Sequence, residues 1–97
     1  MPGRRFYFVY LLTNRRRTTL YTGMTRDLRV RVAAHRAGKG SAFTRRYGLD
    51  RLVWYEVHEN PLSAITREKQ IKAGSRRAKV RLVQAMNPEW HDLWGSL

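Results

Sequence analysis

Apolar and polar positions come in blocks along this chain, and the blocks have the lengths of strands and short helices. Residues 6–13 (FYFVYLLT) are an unbroken aromatic and branched run, which predicts a strand. The polar stretch NRRRT at 14–18 is a turn, and TLYT at 19–22 predicts a second strand, making a hairpin. With Asn14 to Arg17 as a four-residue loop, Tyr10 falls directly opposite Tyr21. Cross-strand partners share one face at about 5 Å, so two phenols converge on one patch. Gly23 reads as the breaker that ends this strand. Thr25 then caps a helix running to about Ala37, with Asp27 in its first turn favouring the helix dipole. Leu28 and Val32 mark its core face; Arg31 and His35 lie one turn apart on a neighbouring face.

GKGSAFTRRYG at 38–48 holds three glycines among basic residues and reads as a surface loop, with room for one helical turn near AFTRRY. RLVWYEVH at 51–58 is a third strand. Asn60 caps a second helix with Pro61 at its first position, and PLSAITREKQIKA stops at Gly74. Ser75 caps a third helix, RRAKVRLVQAM, which stops before Pro88; Val80, Val83 and Met86 fit a packed face. The two tryptophans of the tail, PEWHDLWGSL, are expected to dock on the body. The order is β-β-α-β-α-α, an α/β (α+β) arrangement with helices against a small antiparallel or mixed sheet.

Composition narrows the class. The 97 residues suit one compact domain, 1–97, with eleven aromatics to build one economical core. No apolar run approaches the roughly 18 residues of a membrane span, and nothing after residue 12 resembles a signal-peptide cleavage site. With no cysteine, disulfides and thiolate metal sites are excluded and a cytoplasmic location fits. His35, His58 and His91 are scattered, which argues against a zinc cluster. Charge is the strongest signal. Twenty Lys and Arg against seven Asp and Glu give +13, and sixteen of the twenty are arginine. Self-repulsion of this size destabilises a compact chain, and a polyanion relieves it. Nucleic acid is the first candidate partner and an anionic membrane surface the second. Arginine's planar fork suits phosphate better than lysine's point charge.

The second helix carries an anomaly. Ala64, Ile65 and Ile71 form its apolar stripe, and Glu68 falls inside that stripe, four residues after Ala64. A carboxylate there must be paired, protonated or bound to a cation, because an unpaired buried charge is too costly. A salt bridge to one of the many arginines is the bland solution. Taken singly, Tyr10 and Tyr21 are ordinary core tyrosines, Arg31 a solvated charge and His35 a helix-surface residue. Together they place phenols, a guanidinium and a stripe carboxylate in one very basic domain.

In this combination the chain resembles the GIY-YIG nuclease family. FVY (Phe8–Val9–Tyr10) matches the first signature strand and YTG (Tyr21–Thr22–Gly23) the second. The match continues through MTRDLRVRVAAH, with Arg31 and His35, to AITREKQI with its glutamate. It is most similar to small stand-alone bacterial members, through AFTRRYG, REKQIK and NPEWHDL, and more distantly to the N-terminal nuclease module of the excision-repair incision enzyme and to homing endonucleases. The resemblance implies a GIY-YIG fold with a three-stranded antiparallel sheet flanked by helices. It also implies hydrolysis of DNA phosphodiester bonds with one divalent metal.

Carried onto this chain, the resemblance makes Glu68 the ligand of Mg²⁺ (or Mn²⁺), with water filling most other sites. It makes Tyr10 the general base or water-orienting group, drawn toward phenolate by the local positive field. Arg31 would stabilise the scissile phosphate, Tyr21 would hold nucleophile or phosphate, and His35 would shuttle a proton or contact phosphate. Phe8 and Val9 stand where the first signature has glycine and isoleucine, Thr22 replaces an isoleucine of the second, and Met24 stands where repair enzymes often have lysine. A bulky Phe8 would narrow approach to Tyr10. Asn87 is the candidate for a late site asparagine, with a helix C-cap as its alternative role.

Lys39, Thr44, Arg45 and Arg46 of the basic loop, with Lys69 and Lys72, are the candidate nucleic-acid backbone contacts. Phe43 or Tyr47 would stack on a base, compatible with single-stranded or branched DNA. The chain shows no second DNA-binding module, so specificity would come from the domain, from a partner, or be low. Two rival readings remain: a nucleic-acid-binding domain with weak or no catalysis, and an adaptor for an acidic protein or anionic membrane.

Overall fold

A computed structural model describes residues 5–97. Three strands form one antiparallel sheet in the order β2-β1-β3: β1 is Tyr7–Thr13, β2 is Leu20–Thr25 and β3 is Arg51–His58. The helices are α1 (Leu28–Arg36), α2 (Ala42–Tyr47), α3 (Pro61–Ala73) and α4 (Arg76–Met86), followed by a 3₁₀ turn at Leu93–Ser96. The order is therefore β-β-α-α-β-α-α, and the sheet is antiparallel throughout. No helix among the described residues is long and apolar enough to cross a membrane.

The central strand explains its own composition. β1 has a neighbour on each edge and helices on both faces, so Val9 to Leu12 are all buried and the run shows no polar alternation. Its side chains still alternate between layers. Val9 and Leu11 point into a core with Ala64 and Ile71 of α3 and Val83 of α4. Tyr10 and Leu12 point into a second core with Leu28 and Val32 of α1, Leu49 and Leu52. The tail closes both layers: Trp90 packs on the first core and Trp94 on the second.

Several boundaries follow their caps. Asn60 accepts from the backbone N–H groups of Leu62 and Ser63, with Pro61 opening α3, and Ser75 accepts from Ala78 to open α4. Ser41 accepts from Thr44, and Gly48 closes α2 in the left-handed conformation at φ 64°. The segment read as a loop with one helical turn thus contains a capped six-residue helix. The cap of α1 is Asp27, not Thr25: the Asp27 carboxylate accepts from Val30 N–H. Thr25 stays in the strand, and its hydroxyl accepts from Asp27 N–H.

The hairpin differs from the expected register. Thr13 pairs with Leu20, so six residues form the connection and Tyr10 faces Gly23 while Leu12 faces Tyr21. The extra length is organised by Asn14. Its carbonyl accepts from Arg17 N–H and its side chain binds the Thr18 N–H and hydroxyl, with Arg17 left-handed at φ 58°. The slip is two residues, and side chains repeat every two, so Tyr10 and Tyr21 keep a common face. Gly23 also does not end the strand; it lies inside β2.

Two helix faces are narrower than their patterns suggest. Ile65 and Met86 are exposed, leaving Ala64 and Ile71 to seat α3 and Val83 to seat α4. Val53 is the extra residue of a β3 bulge opposite Leu11 and Leu12. Asn87, the C-cap of α4, donates to the Val53 carbonyl at 3.1 Å and to the His91 carbonyl at 2.8 Å. It pins the tail to the sheet and does not reach the cluster described next.

Candidate active site at the sheet edge

The cluster begins with the space above Gly23. A Cβ at this position would overlap Cζ and the hydroxyl of Tyr10. The missing side chain therefore lets the phenol lie across edge strand β2. No unusual backbone angle is needed; the glycine provides room. Tyr21, two residues back on β2, faces the same way, and its ring centroid is 6.5 Å from that of Tyr10.

His35 arrives from α1, one turn after Arg31. Leu28 and Val32 seat that helix on the sheet, which turns His35 inward. Its ring centroid lies 6.0 Å from Tyr10 and 5.7 Å from Tyr21, both at edge-on angles. The Tyr10 hydroxyl and His35 Nε2 are 3.1 Å apart, a hydrogen bond between two buried groups. On its other side, His35 Nδ1 is 3.0 Å from Thr44 Oγ1 of α2. A Cβ on Gly40 would overlap His35 Nδ1, so this second glycine lets backbone approach the imidazole edge.

Burial pushes the Tyr10 pKa up to about 12; the neighbouring Tyr21 and the Glu68 carboxylate push the same way. Arg31, as hydrogen-bond partner and as positive charge, pulls it down without winning. This corrects the expectation of phenolate character: Tyr10 rests as a neutral phenol. His35 is shifted down, first by burial and then by the Arg31 charge, so it rests as neutral imidazole.

Glu68 comes from the layer beneath the sheet. Its charge is felt at Tyr10, so α3 brings the carboxylate to the edge that the phenol crosses. Glu68 pairs with Lys72 at 4.0 Å, and the Glu68 side chain is 22% exposed. Among the described residues it forms no ion pair with an arginine. Among the described residues, no group of three or more His, Asp or Glu side chains gathers as a metal cluster. A lone, accessible carboxylate fits a hard divalent ion that keeps most of its water, and does not fit zinc.

The five residues thus sort by depth. Tyr10 and His35 are buried; Tyr21, Arg31 and Glu68 are partly open and stand in front. Phe8 lies at the other end of the strand, paired with Thr25 and Val57, and packs into the same core. It flanks Tyr10 on the side away from Tyr21 and does not come between the phenols.

The basic-segment residues divide. Lys39, Arg45, Arg46, Lys69 and Lys72 are exposed. Thr44, expected among the backbone contacts, is only 3% exposed and turns inward to His35. Charge and exposure reasoning missed this inward role because its signal is the Ser41–Thr44 capping spacing, which only a helix at 42–47 makes visible. Phe43 stacks on Tyr21 with centroids 6.2 Å apart, and Tyr47 follows at 4.8 Å. Both outer rings are exposed, and the Arg46 guanidinium lies over Tyr47.

Comparison with known proteins places the chain in a family. Residues 6–81 match the GIY-YIG catalytic domain. The chain is 38% identical over 78 residues to a UPF0213 protein of Clostridium perfringens, covering 80% of this chain and 83% of that one. It is 33% identical over 78 residues to a UPF0213 protein of Staphylococcus haemolyticus, covering 80% and 94%. The solution NMR structure of a UPF0213 protein from Bacillus halodurans superposes with TM-score 0.58 at 32% identity, covering 90% and 92% of the two chains. The chain belongs to the GIY-YIG nuclease family, alongside its small UPF0213 members.

Proposed function

We propose that this chain is a metal-dependent endonuclease, one domain over residues 1–97, that hydrolyses DNA phosphodiester bonds and favours single-stranded or branched substrates. The observation that carries the reading is the edge cluster. Two phenols and an imidazole lie within 6.5 Å of one another, beside Arg31 and Glu68, in a chain of net charge +13.

Glu68 would hold Mg²⁺ or Mn²⁺, which supplies Lewis-acid stabilisation of phosphate charge when bound. Arg31 meets the scissile phosphate and offsets the charge that builds in the transition state. The partly open Tyr21 hydroxyl holds a phosphate oxygen or the attacking water. Tyr10 works behind them without ever becoming a free phenolate. As the water oxygen bonds to phosphorus, one water proton passes to the Tyr10 oxygen. The phenolic proton passes to His35 Nε2, and the leaving oxygen departs with the electron pair of its bond to phosphorus and takes a proton from solvent. Donor and acceptor at 3.1 Å are within reach for such a relay.

The Tyr21–Phe43–Tyr47 ladder supports the substrate preference. An aromatic platform leading out of the site stacks bases that are not paired, at about 1–3 kcal/mol per base. Lys39, Arg45 and Arg46 flank it to track the backbone. The test is digestion of duplex, single-stranded and flap DNA side by side. Single-stranded or flap DNA is expected to be cut faster, and Phe43→Ala to weaken single-strand binding about tenfold. Equal rates on all three substrates contradict the preference.

One observation favours the rival reading of a nucleic-acid-binding domain with weak or no catalysis: Tyr10 is 1% exposed, so water must be admitted to its hydroxyl. That reading expects Tyr10→Phe to bind DNA normally and to leave any trace cleavage unchanged.

A further inference from the structure

The relay proposed above works only if His35 Nε2 carries a lone pair. A neutral imidazole has its proton on one nitrogen or the other, and the Tyr10 contact alone does not decide which. The other side of the ring favours one. Thr44 Oγ1 lies 3.0 Å from the backbone carbonyl of Ser41, which can only accept and which also receives Arg45 N–H at 3.1 Å, so the Thr44 hydroxyl is placed to donate there. This is the bond a threonine makes back along its own helix. Ser41 Oγ accepts from Thr44 N–H at 3.1 Å and, 3.2 Å from Thr44 Oγ1, is placed to donate its own proton to it. With its proton on that carbonyl, Thr44 Oγ1 offers His35 a lone pair. In that arrangement His35 Nδ1, at 3.0 Å, is the donor.

We infer that Thr44 is a positioning residue that holds His35 in the Nδ1–H tautomer, leaving Nε2 open to receive the Tyr10 proton. Thr44 touches neither phosphate nor phenol; it acts through the imidazole. Both Thr44 and His35 are buried, so bulk water does not compete for either nitrogen. Gly40 closes the Nδ1 edge, since any side chain there would push into the ring. The same Ser41–Thr44 contacts that cap α2 fix the threonine oxygen. A short helix with no obvious place in the reaction thus acquires one. The inference of tautomer rests on hydrogen bonds alone; only its catalytic consequence rests on the nuclease reading.

The test is long-range ¹H–¹⁵N NMR of histidine-labelled full-length protein at pH 8, where a tautomer is read from the two nitrogen shifts. Wild type is expected to show a protonated Nδ1 and a bare Nε2 at His35. Thr44→Ser, which keeps the hydroxyl, should match it. Thr44→Val, which keeps the shape, should shift the population toward Nε2–H. In parallel, on a labelled single-stranded oligonucleotide with Mg²⁺, Thr44→Val is expected to lose on the order of 10²-fold in kcat with KM unchanged, and Thr44→Ser to stay within about threefold of wild type. A wild-type Nε2–H tautomer overturns the inference, as does a Thr44→Val spectrum identical to wild type. If Thr44→Val does not fold, the wild-type and Thr44→Ser spectra still decide the tautomer. Absence of cleavage by wild type with the Nδ1–H spectrum intact counts against the nuclease reading and leaves the tautomer assignment standing.

Discussion

Gly23 shows what a single missing methyl group does here. Adding one at this position drives it into the Tyr10 ring end, which is buried and hydrogen-bonded and has nowhere to go. Gly23→Ala is expected to break the Tyr10–His35 contact and to cut the cleavage rate on the order of 10²-fold, measured as single-turnover kinetics beside a thermal melt. A fully active Gly23→Ala variant contradicts the role. The sequence displayed this glycine but suggested a breaker, because breaker logic concerns backbone angles and not the space a neighbour needs. Tyr10 and Tyr21 were legible as a same-face pair despite the wrong register, since a two-residue slip preserves the face. Tyr10's protonation was not legible: burial, which opposes the arginine field, depends on the folded layers. His35 adds a pH signature. Its folded pKa lies below the unfolded value, so the unfolded chain binds the extra proton first as pH falls. Its contribution to stability is full above the ordinary histidine value near 6.5 and is lost progressively as pH drops from there toward the folded value. Melting temperature should therefore fall more steeply between about pH 7 and 5 in wild type than in His35→Gln; parallel curves contradict the assignment.

At the scale of elements, strong local chemistry made β3, α3 and α4 readable to the residue. Asn60–Pro61, Gly74 and Ser75 are start and stop signals whose hydrogen bonds need no tertiary help. Asn60 serves the cluster indirectly, because α3 carries Glu68. Asn60→Ala removes the acceptor for the Leu62 and Ser63 N–H groups and is expected to cost about 1 kcal/mol. That is a fall of roughly 4–8 °C in Tm by calorimetry for a chain this size; an unchanged Tm contradicts the cap. The hairpin and α2 were harder to read. The connection length depends on Asn14 folding back on Thr18 and on Arg17 accepting a left-handed angle, neither of which residue type alone announces. A six-residue helix is below the length that periodicity can register.

For the whole molecule, charge and topology act together. The net +13 favours a polyanion, and the edge where Tyr10 crosses β2 collects functional groups from both layers of the sheet. The sequence placed Glu68 on an apolar stripe but could not say that its helix lies beneath the sheet while the phenols lie above it. The space at Gly23 lets the Tyr10 phenol lie across β2. In the proposed nuclease, DNA is cut at this edge with a divalent ion held at Glu68. The most direct test is cleavage of end-labelled single- and double-stranded DNA at low salt, with Mg²⁺ or with EDTA, by wild type and by Glu68→Ala purified in parallel. Product is expected from wild type with Mg²⁺, with loss of at least about 10²-fold on chelation or in Glu68→Ala. Cleavage that survives both contradicts the claim.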